Sequence, residues 1–102
     1  MEIAIEQSNG QARLRIKGDI DEKGAETLKA EIGRLDLTRL GEVVIDLREV
    51  TYIGSSGIGK ILLLYKHLAA NDGTLRVENA SANVYDLFKE LKLDTIFPVT
   101  AG

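Results

Sequence analysis

Two adjacent serines, Ser55 and Ser56, are the side chains of this 102-residue sequence that are best placed to take part in chemistry. They follow an apolar stretch, Val43–Leu47, that predicts a buried strand, and they open an apolar segment that predicts a helix from about Ser55 to Ala70. The first backbone N–H groups of a helix have no partner, and the macrodipole there favours negative charge. A phosphate group on such a hydroxyl is tolerated electrostatically and changes the surface that a partner meets. The sequence therefore predicts a switch at this point.

The segment Gly54–Lys60 also matches most of the phosphate-loop pattern G-x-x-x-x-G-K-[ST]. The last position of the pattern is Ile61, which has no hydroxyl to offer a magnesium ion. No later apolar strand that ends in aspartate supplies a second contact to the metal. A coincidental match therefore explains this segment better than nucleotide hydrolysis does.

The other polar candidates have structural explanations. Asp19 and Asp21 could form an acid–base pair, but Asp21 is also a suitable N-cap for the helix that follows it. Asp46 ends an apolar strand, where a carboxylate commonly accepts backbone N–H groups of the next turn. The single histidine, His67, lies about three helical turns from Ser55 on the same predicted helix, so a catalytic triad is not expected. We predict no catalytic residue, no metal, no cofactor and no enzymatic activity.

Composition and charge indicate one globular domain over residues 1–102. Hydrophobic residues make up 44% of the chain, charged residues make up 28%, and the formal net charge is −3. This balance argues against nucleic acid as a partner, because nucleic-acid-binding proteins usually carry a basic excess. Cysteine is absent, and no apolar run approaches the length of about 18 residues that a membrane span needs. We expect a cytoplasmic protein without direct membrane insertion.

The hydrophobic periodicity predicts an α/β fold with the element order ββαβαβαβ. Two alternating segments, Glu2–Gln7 and Gln11–Lys17, flank a Ser-Asn-Gly turn and predict a hairpin. Val43–Leu47 is almost continuously apolar, which favours a central strand covered on both faces. The remaining elements are a helix after Asp21, a strand at Thr74–Glu78, a helix capped by Ser81 and a last strand at Ile96–Val99. Together they predict a mixed sheet with helices packed against it.

The predicted helix after the serines contains more leucine than its buried face requires. On a helical wheel, Leu63 and Leu64 fall among the polar residues. Gly57 and Gly59 are small enough to let another backbone approach closely, so the four residues together predict a contact surface for a partner. The alternative is that these leucines are isolated exposed residues or are covered by another element.

Several segments resemble the signature of STAS domains, and specifically the anti-sigma factor antagonists of bacteria. The resemblance is carried by Val43–Leu47 with Val50 and Ile53, by Ser55–Gly59, by Gly18–Asp21 with Ala25–Leu28, and by Ala82–Phe97. These segments extend over almost the whole chain. The resemblance implies a STAS-like mixed β-sheet with helices packed against it.

The resemblance also implies a regulatory binding module. In that family, an anti-sigma factor that is also a serine-protein kinase phosphorylates a serine at the start of the second helix. The unmodified protein binds this kinase and so releases the sigma factor, the phosphorylated form dissociates, and a serine phosphatase restores the first state. By position, the resemblance implies that the phosphorylated residue of this chain is Ser55, with Ser56 as the second choice.

The predicted partner surface surrounds the serine that the resemblance marks for phosphorylation. Its members are Gly54, Ser56, Gly57, Gly59, Lys60, Leu63 and Leu64. The family usually has aspartate immediately before the serine pair, whereas this chain has Gly54, and that change could alter recognition by the kinase. The alternative function is therefore a STAS subunit that is not phosphorylated and belongs to a membrane transporter or a multi-protein signalling complex.

Overall fold

The predicted order of elements is confirmed in a computed structural model that describes residues 1–102. The strands are β1 (Glu2–Ser8), β2 (Gln11–Lys17), β3 (Glu42–Glu49), β4 (Thr74–Ala80) and β5 (Val99–Ala101), and the helices are α1 (Glu22–Ile32), α2 (Ser55–Ala70) and α3 (Ala82–Glu90). The prediction for the last strand is wrong in position. A short 3-10 helix at Leu93–Thr95 precedes it, and Phe97 is buried in the core instead of pairing in the sheet.

The five strands lie in the sheet in their order along the chain, β1-β2-β3-β4-β5. β1 and β2 form the predicted antiparallel hairpin, and Asn9 and Gly10 take the positive φ values (51° and 79°) that its tight turn requires. Every other neighbouring pair is parallel. The carboxyl ends of β2, β3 and β4 therefore meet at one edge of the sheet, and a helix begins after each of them. In open α/β sheets this edge is where binding sites form.

The three helices pack on one face of the sheet, as the burial of β3 shows. Val43, Ile45 and Leu47 belong to a cluster of 23 buried residues that also contains the buried side chains of the helices. Val44 is fully buried as well, but it lies outside this cluster and faces the other way. Its neighbours in register are Arg13 and Arg76, whose long aliphatic stems can cover an apolar residue. β3 is thus covered on both faces as predicted, but on the second face by arginine side chains.

The open face of the sheet carries a network of ion pairs around the end of β3. Arg13 lies 2.9 Å from both Asp46 and Glu78, and Glu78 is also 2.8 Å from Arg76. The Asn79 side-chain amide donates to Asp46 at 3.1 Å. Charged groups on this face are therefore paired across three adjacent strands.

Candidate functional site

α2 begins at Ser55 with no side chain capping its first turn. Gly54 is the N-cap residue, in an extended conformation (φ −92°, ψ 176°), and its carbonyl accepts the first helical hydrogen bond from the Ile58 N–H at 3.1 Å. The N–H groups of Ser55, Ser56 and Gly57 therefore have no acceptor within the helix. They leave a partial positive charge at the helix start, where an anion is stabilised.

Both serines present their hydroxyls to solvent at this helix start. Ser55 and Ser56 are exposed, and neither side chain forms a hydrogen bond within the chain. Removal of either hydroxyl costs the fold no internal hydrogen bond. Both oxygens are therefore free to react or to contact a partner.

The loop that leads into α2 is held in place by the loop between β2 and α1. Ile20 and Ile53 form an isolated parallel bridge. The Ile20 N–H donates to the Tyr52 carbonyl at 2.9 Å, and the Gly54 N–H donates to the Ile20 carbonyl at 2.9 Å. These bonds fix the backbone immediately before Ser55 relative to the edge of the sheet.

Side chains from three loops tie this edge together further. The Thr51 hydroxyl donates to the Asp19 carboxylate at 2.9 Å, and the Asn83 amide donates to the Thr51 carbonyl at 2.6 Å. Ser81 is the N-cap residue of α3 as predicted, but its hydroxyl makes no capping bond and lies 3.0 Å from the Asn83 side-chain oxygen and 3.3 Å from the Val50 carbonyl, to either of which it can donate. Sequence reasoning missed Thr51 and Asn83, whose only signal is that each lies shortly after a predicted strand.

The aspartates that were candidates for chemistry have structural roles. Asp21 is the N-cap residue of α1, as predicted, and accepts the Gly24 N–H at 2.7 Å. Asp46 accepts the Arg48 N–H at 3.0 Å, which is the interaction predicted for it. Burial alone would raise the pKa of Asp46, but hydrogen bonds from Arg48, Asn79 and Arg13 outweigh it and hold that pKa below its ordinary value. Asp46 is therefore an ionised part of the open-face network.

The phosphate-loop match does not form a phosphate-binding loop. Ser55–Lys60 already lie within α2, so no glycine-rich loop precedes the helix to surround a phosphate chain. No group of three or more His, Cys, Asp or Glu side chains is arranged to hold a metal ion. None of the helices has the length and apolar character that crossing a membrane demands.

The two leucines predicted to share a contact surface are separated in the structure. Leu63 is 45% exposed, but Leu64 is only 1% exposed and belongs to the core. The prediction that Leu64 lies on the surface is wrong, because α2 packs against α1 as well as against the sheet and so buries a wider arc than one sheet contact requires. Of the two leucines, only Leu63 remains available to a partner.

The two glycines of the predicted surface also differ. Gly57 is buried, and a Cβ atom there would lie 2.6 Å from Ile20 Cγ2 and 2.9 Å from Ile53 Cγ1. The prediction that Gly57 meets a partner is therefore wrong: the close approach it permits is to the loop bridge beneath it. Gly59 is exposed, and a Cβ atom added there would have no neighbour within 4 Å. Lys60 beside it is half-buried.

An aromatic residue that sequence reasoning missed lies beside the serines. Tyr52 is 53% exposed, and its hydroxyl would lie 3.0 Å from a Cβ atom added at Gly54. The ring therefore extends over the residue that caps α2. An aromatic residue in the short loop just before the serine pair was the available signal. Tyr52 and Leu63 give the surface around the serines two exposed apolar groups.

The fold and this edge define the class of protein. The family model of the STAS domain matches residues 2–101, so the chain belongs to the STAS domain family. It is 27% identical over 100 residues to the anti-sigma-B factor antagonist of Bacillus subtilis. The aligned residues cover 97% of this chain and 90% of that protein.

Solved structures show the same fold. The crystal structure of an anti-sigma factor antagonist from Mycobacterium paratuberculosis superposes with a TM-score of 0.85 at 25% identity, covering 99% of this chain and 86% of that one. The phosphorylated form of the Bacillus cell fate determinant SpoIIAA gives a TM-score of 0.77 at 19% identity, covering 96% and 90% of the two chains. At 19% identity this second likeness shows the fold alone.

Proposed function

We propose that this chain is an anti-sigma factor antagonist that is switched by phosphorylation of Ser55. In its unmodified form it binds an anti-sigma factor that is also a serine-protein kinase, and the phosphorylated form dissociates until a serine phosphatase restores it. The observation that carries the proposal is the exposed, unbonded Ser55 hydroxyl at a helix start with free N–H groups. The names of the similar proteins support this class of partner.

The arrangement explains how a phosphate could control binding. A phosphate adds about 1.5 to 2 negative charges at neutral pH, which the start of α2 tolerates. The same charge lies close to exposed Tyr52, on a surface that must lose its water when a partner binds. An uncompensated charge in such an interface is costly, so the modified form binds weakly. The fold thus accepts the phosphate while the complex does not.

The surface that we assign to the partner follows one face of α2. Ser56, Lys60 and Leu63 occupy positions i, i+4 and i+7, which share a face of a helix. Ser55 and Tyr52 lie at the end of this face. Gly54 and Gly59 add exposed or half-exposed backbone without bulky side chains. Leu64 and Gly57 are excluded because both are buried.

Phosphorylation of the purified protein tests the proposal directly. We expect bacterial anti-sigma factor kinases with ATP to add one phosphate, located by mass spectrometry on Ser55. Ser55→Ala should remove the signal, whereas the matched Ser56→Ala should retain it. Ser55→Asp should weaken binding of the kinase at least about tenfold. Phosphate on Ser56, or a Ser55→Asp protein that binds like the wild type, would contradict the assignment.

The alternative is a STAS subunit that is not phosphorylated, and Gly54 favours it. A side chain at this position would contact the Tyr52 hydroxyl, so Tyr52 would have to move for an aspartate to fit. If kinases phosphorylate a Gly54→Asp variant but never the wild type, the chain has lost the switch. Co-purification with a transporter or a signalling complex would then identify its assembly.

A further inference from the structure

A cleft separate from the serines lies between the end of α1 and the middle of α2, with a volume of about 280 Å³. Its apolar lining is graded from buried to exposed. Leu35 and Leu64 are buried, Ile32 and Leu37 are half-buried, and Leu63 is 45% exposed at the margin. Apolar surface is therefore open to solvent at this point, where a partner can cover it.

The margin of this cleft is cationic. Two lysines, Lys29 and Lys60, line it, and no carboxylate does, although acidic residues outnumber lysine and arginine by 16 to 13 in the chain. All the ion pairs of the protein use arginine, so neither lysine has an acidic partner. The positive charges around the cleft are thus available to an external acidic group.

We propose that this cleft binds a short acidic segment of a partner protein through one large apolar side chain. The apolar side chain of the partner enters between Leu63 of α2 and Ile32 of α1. Carboxylates on either side of it in the partner pair with Lys29 and Lys60. Charge favours this occupant, because an acidic segment brings the carboxylates that the two lysines of the cleft do not find within the chain. Charge complementarity of this kind mainly supplies specificity and speed of association.

The cleft is continuous with the surface assigned to the anti-sigma factor kinase. Ser56, Lys60, Leu63 and His67 occupy positions i, i+4, i+7 and i+11 on one face of α2. A protein bound at the serines can therefore extend along α2 into the cleft, which by the helical rise begins about 6 Å from Ser56 at Lys60 and ends about 16 Å from it at His67. The inference rests on the proposed function only for the identity of the partner.

Titration of the whole protein with a peptide, followed by NMR of the backbone amides, tests the cleft without any kinase. The probe is acetyl-Glu-Asp-Leu-Phe-Asp-Glu-amide, and its matched control has lysine in place of every acidic residue. We expect the acidic probe alone to shift cleft resonances. Lys60→Glu should raise the Kd of the acidic probe about fivefold or more, and Lys60→Gln should raise it by less. Leu63→Ala should raise this Kd about threefold. Lys66→Glu, the same charge change on an exposed α2 residue outside the cleft, should stay within about twofold.

Three results would overturn the proposal. The first is the absence of cleft shifts with the acidic probe, and the second is equal binding of the lysine probe. The third is displacement of the acidic probe by sodium octanoate at a concentration lower than that of the probe, which would identify a site for small amphiphiles. Because Lys60→Gln only removes a charge, it keeps the test valid if Lys60→Glu does not fold. A peptide that binds as expected to a protein that no kinase phosphorylates would leave the cleft intact and reject the Ser55 switch.

Discussion

The open face of the sheet and the start of α2 use polar side chains in opposite ways. On the open face, Arg13 is paired with both Asp46 and Glu78 at 2.9 Å, and Asp46 also accepts two further hydrogen bonds. At the start of α2, the Ser55 and Ser56 hydroxyls have no partner within the chain, and the helix has no side-chain cap. Arg13 and Asp46 thus have their partners within the chain, whereas the two serine hydroxyls have none.

The difference separates polar groups that stabilise the fold from those that can meet another molecule. A paired carboxylate must lose its hydrogen bonds before it can bind anything else, and that loss is costly. An exposed hydroxyl on a fixed backbone loses only water. The loop bonds that involve Ile20, Thr51 and Asn83 stop just before the serines, so hydrogen bonds hold the backbone up to Gly54 and none holds the two hydroxyls.

The largest expected effect comes from the buried glycine beneath the serine pair. Gly57→Val places methyl groups against Ile20 and Ile53, because even a Cβ atom would lie 2.6 Å and 2.9 Å from their side chains. We expect the free energy of unfolding to fall by about 3 kcal/mol. Chemical denaturation followed by circular dichroism measures this change.

Gly59→Val is the matched control, since it makes the same substitution two residues along α2 where no atom lies within 4 Å. Valine and glycine have similar helix propensities, so its stability should stay within about 0.5 kcal/mol of the wild type. Equal losses in the two variants would show that the start of α2 does not depend on its contact with the loop bridge.

A smaller loss is expected on the open face. Asp46→Asn removes a charge that Arg13, Arg48 and Asn79 stabilise, and should lower the free energy of unfolding by about 1.5 kcal/mol at pH 7. Glu26→Gln removes an exposed, unpaired carboxylate of α1 and should change it by less than about 0.5 kcal/mol.

The pH dependence of the Asp46 effect has a definite sign. Burial acts to raise the pKa of Asp46, but the hydrogen bonds to the carboxylate hold that pKa in the folded protein below its ordinary value of 3.8. Its stabilisation is therefore complete above that value and is lost as the pH falls through the lower, folded-state pKa. Urea unfolding at several pH values should show the wild type and Asp46→Asn converging in acid. A constant difference down to low pH would mean that the charge of Asp46 does not contribute.

Local sequence signals predicted most of this fold. The alternating strands around Asn9 and Gly10, the cap at Asp21 and the continuous apolar run of β3 each depend on neighbours along the chain, and each is confirmed. The last strand was misplaced because Phe97 is apolar for a different reason: it packs in the core, 5.8 Å from the Tyr65 ring. Apolar character alone does not distinguish a strand from a loop that enters the core.

The candidate site was predictable only in part. The position of the serines at the start of α2 follows from local pattern, and the structure places both there with exposed side chains. The surface around them depends on how α2 packs, and a helical wheel cannot show that α1 buries Leu64. Tyr52 lies in a loop without periodicity, so only the three-dimensional course of that loop brings it over Gly54.

The smallest effects are expected at the serines themselves, and they sharpen the comparison most. Ser55→Ala should leave the free energy of unfolding within about 0.5 kcal/mol, and Ser55→Asp should raise it by about 0.5 kcal/mol at low salt because of the helix dipole. Ser81→Ala, which removes a hydroxyl that can donate to the Val50 carbonyl at 3.3 Å, should lower it by about 1 kcal/mol. Thermal unfolding of the three variants side by side measures these differences. A loss of about 1 kcal/mol or more in Ser55→Ala would mean that the hydroxyl supports the folded chain, and the distinction between the two regions would no longer hold.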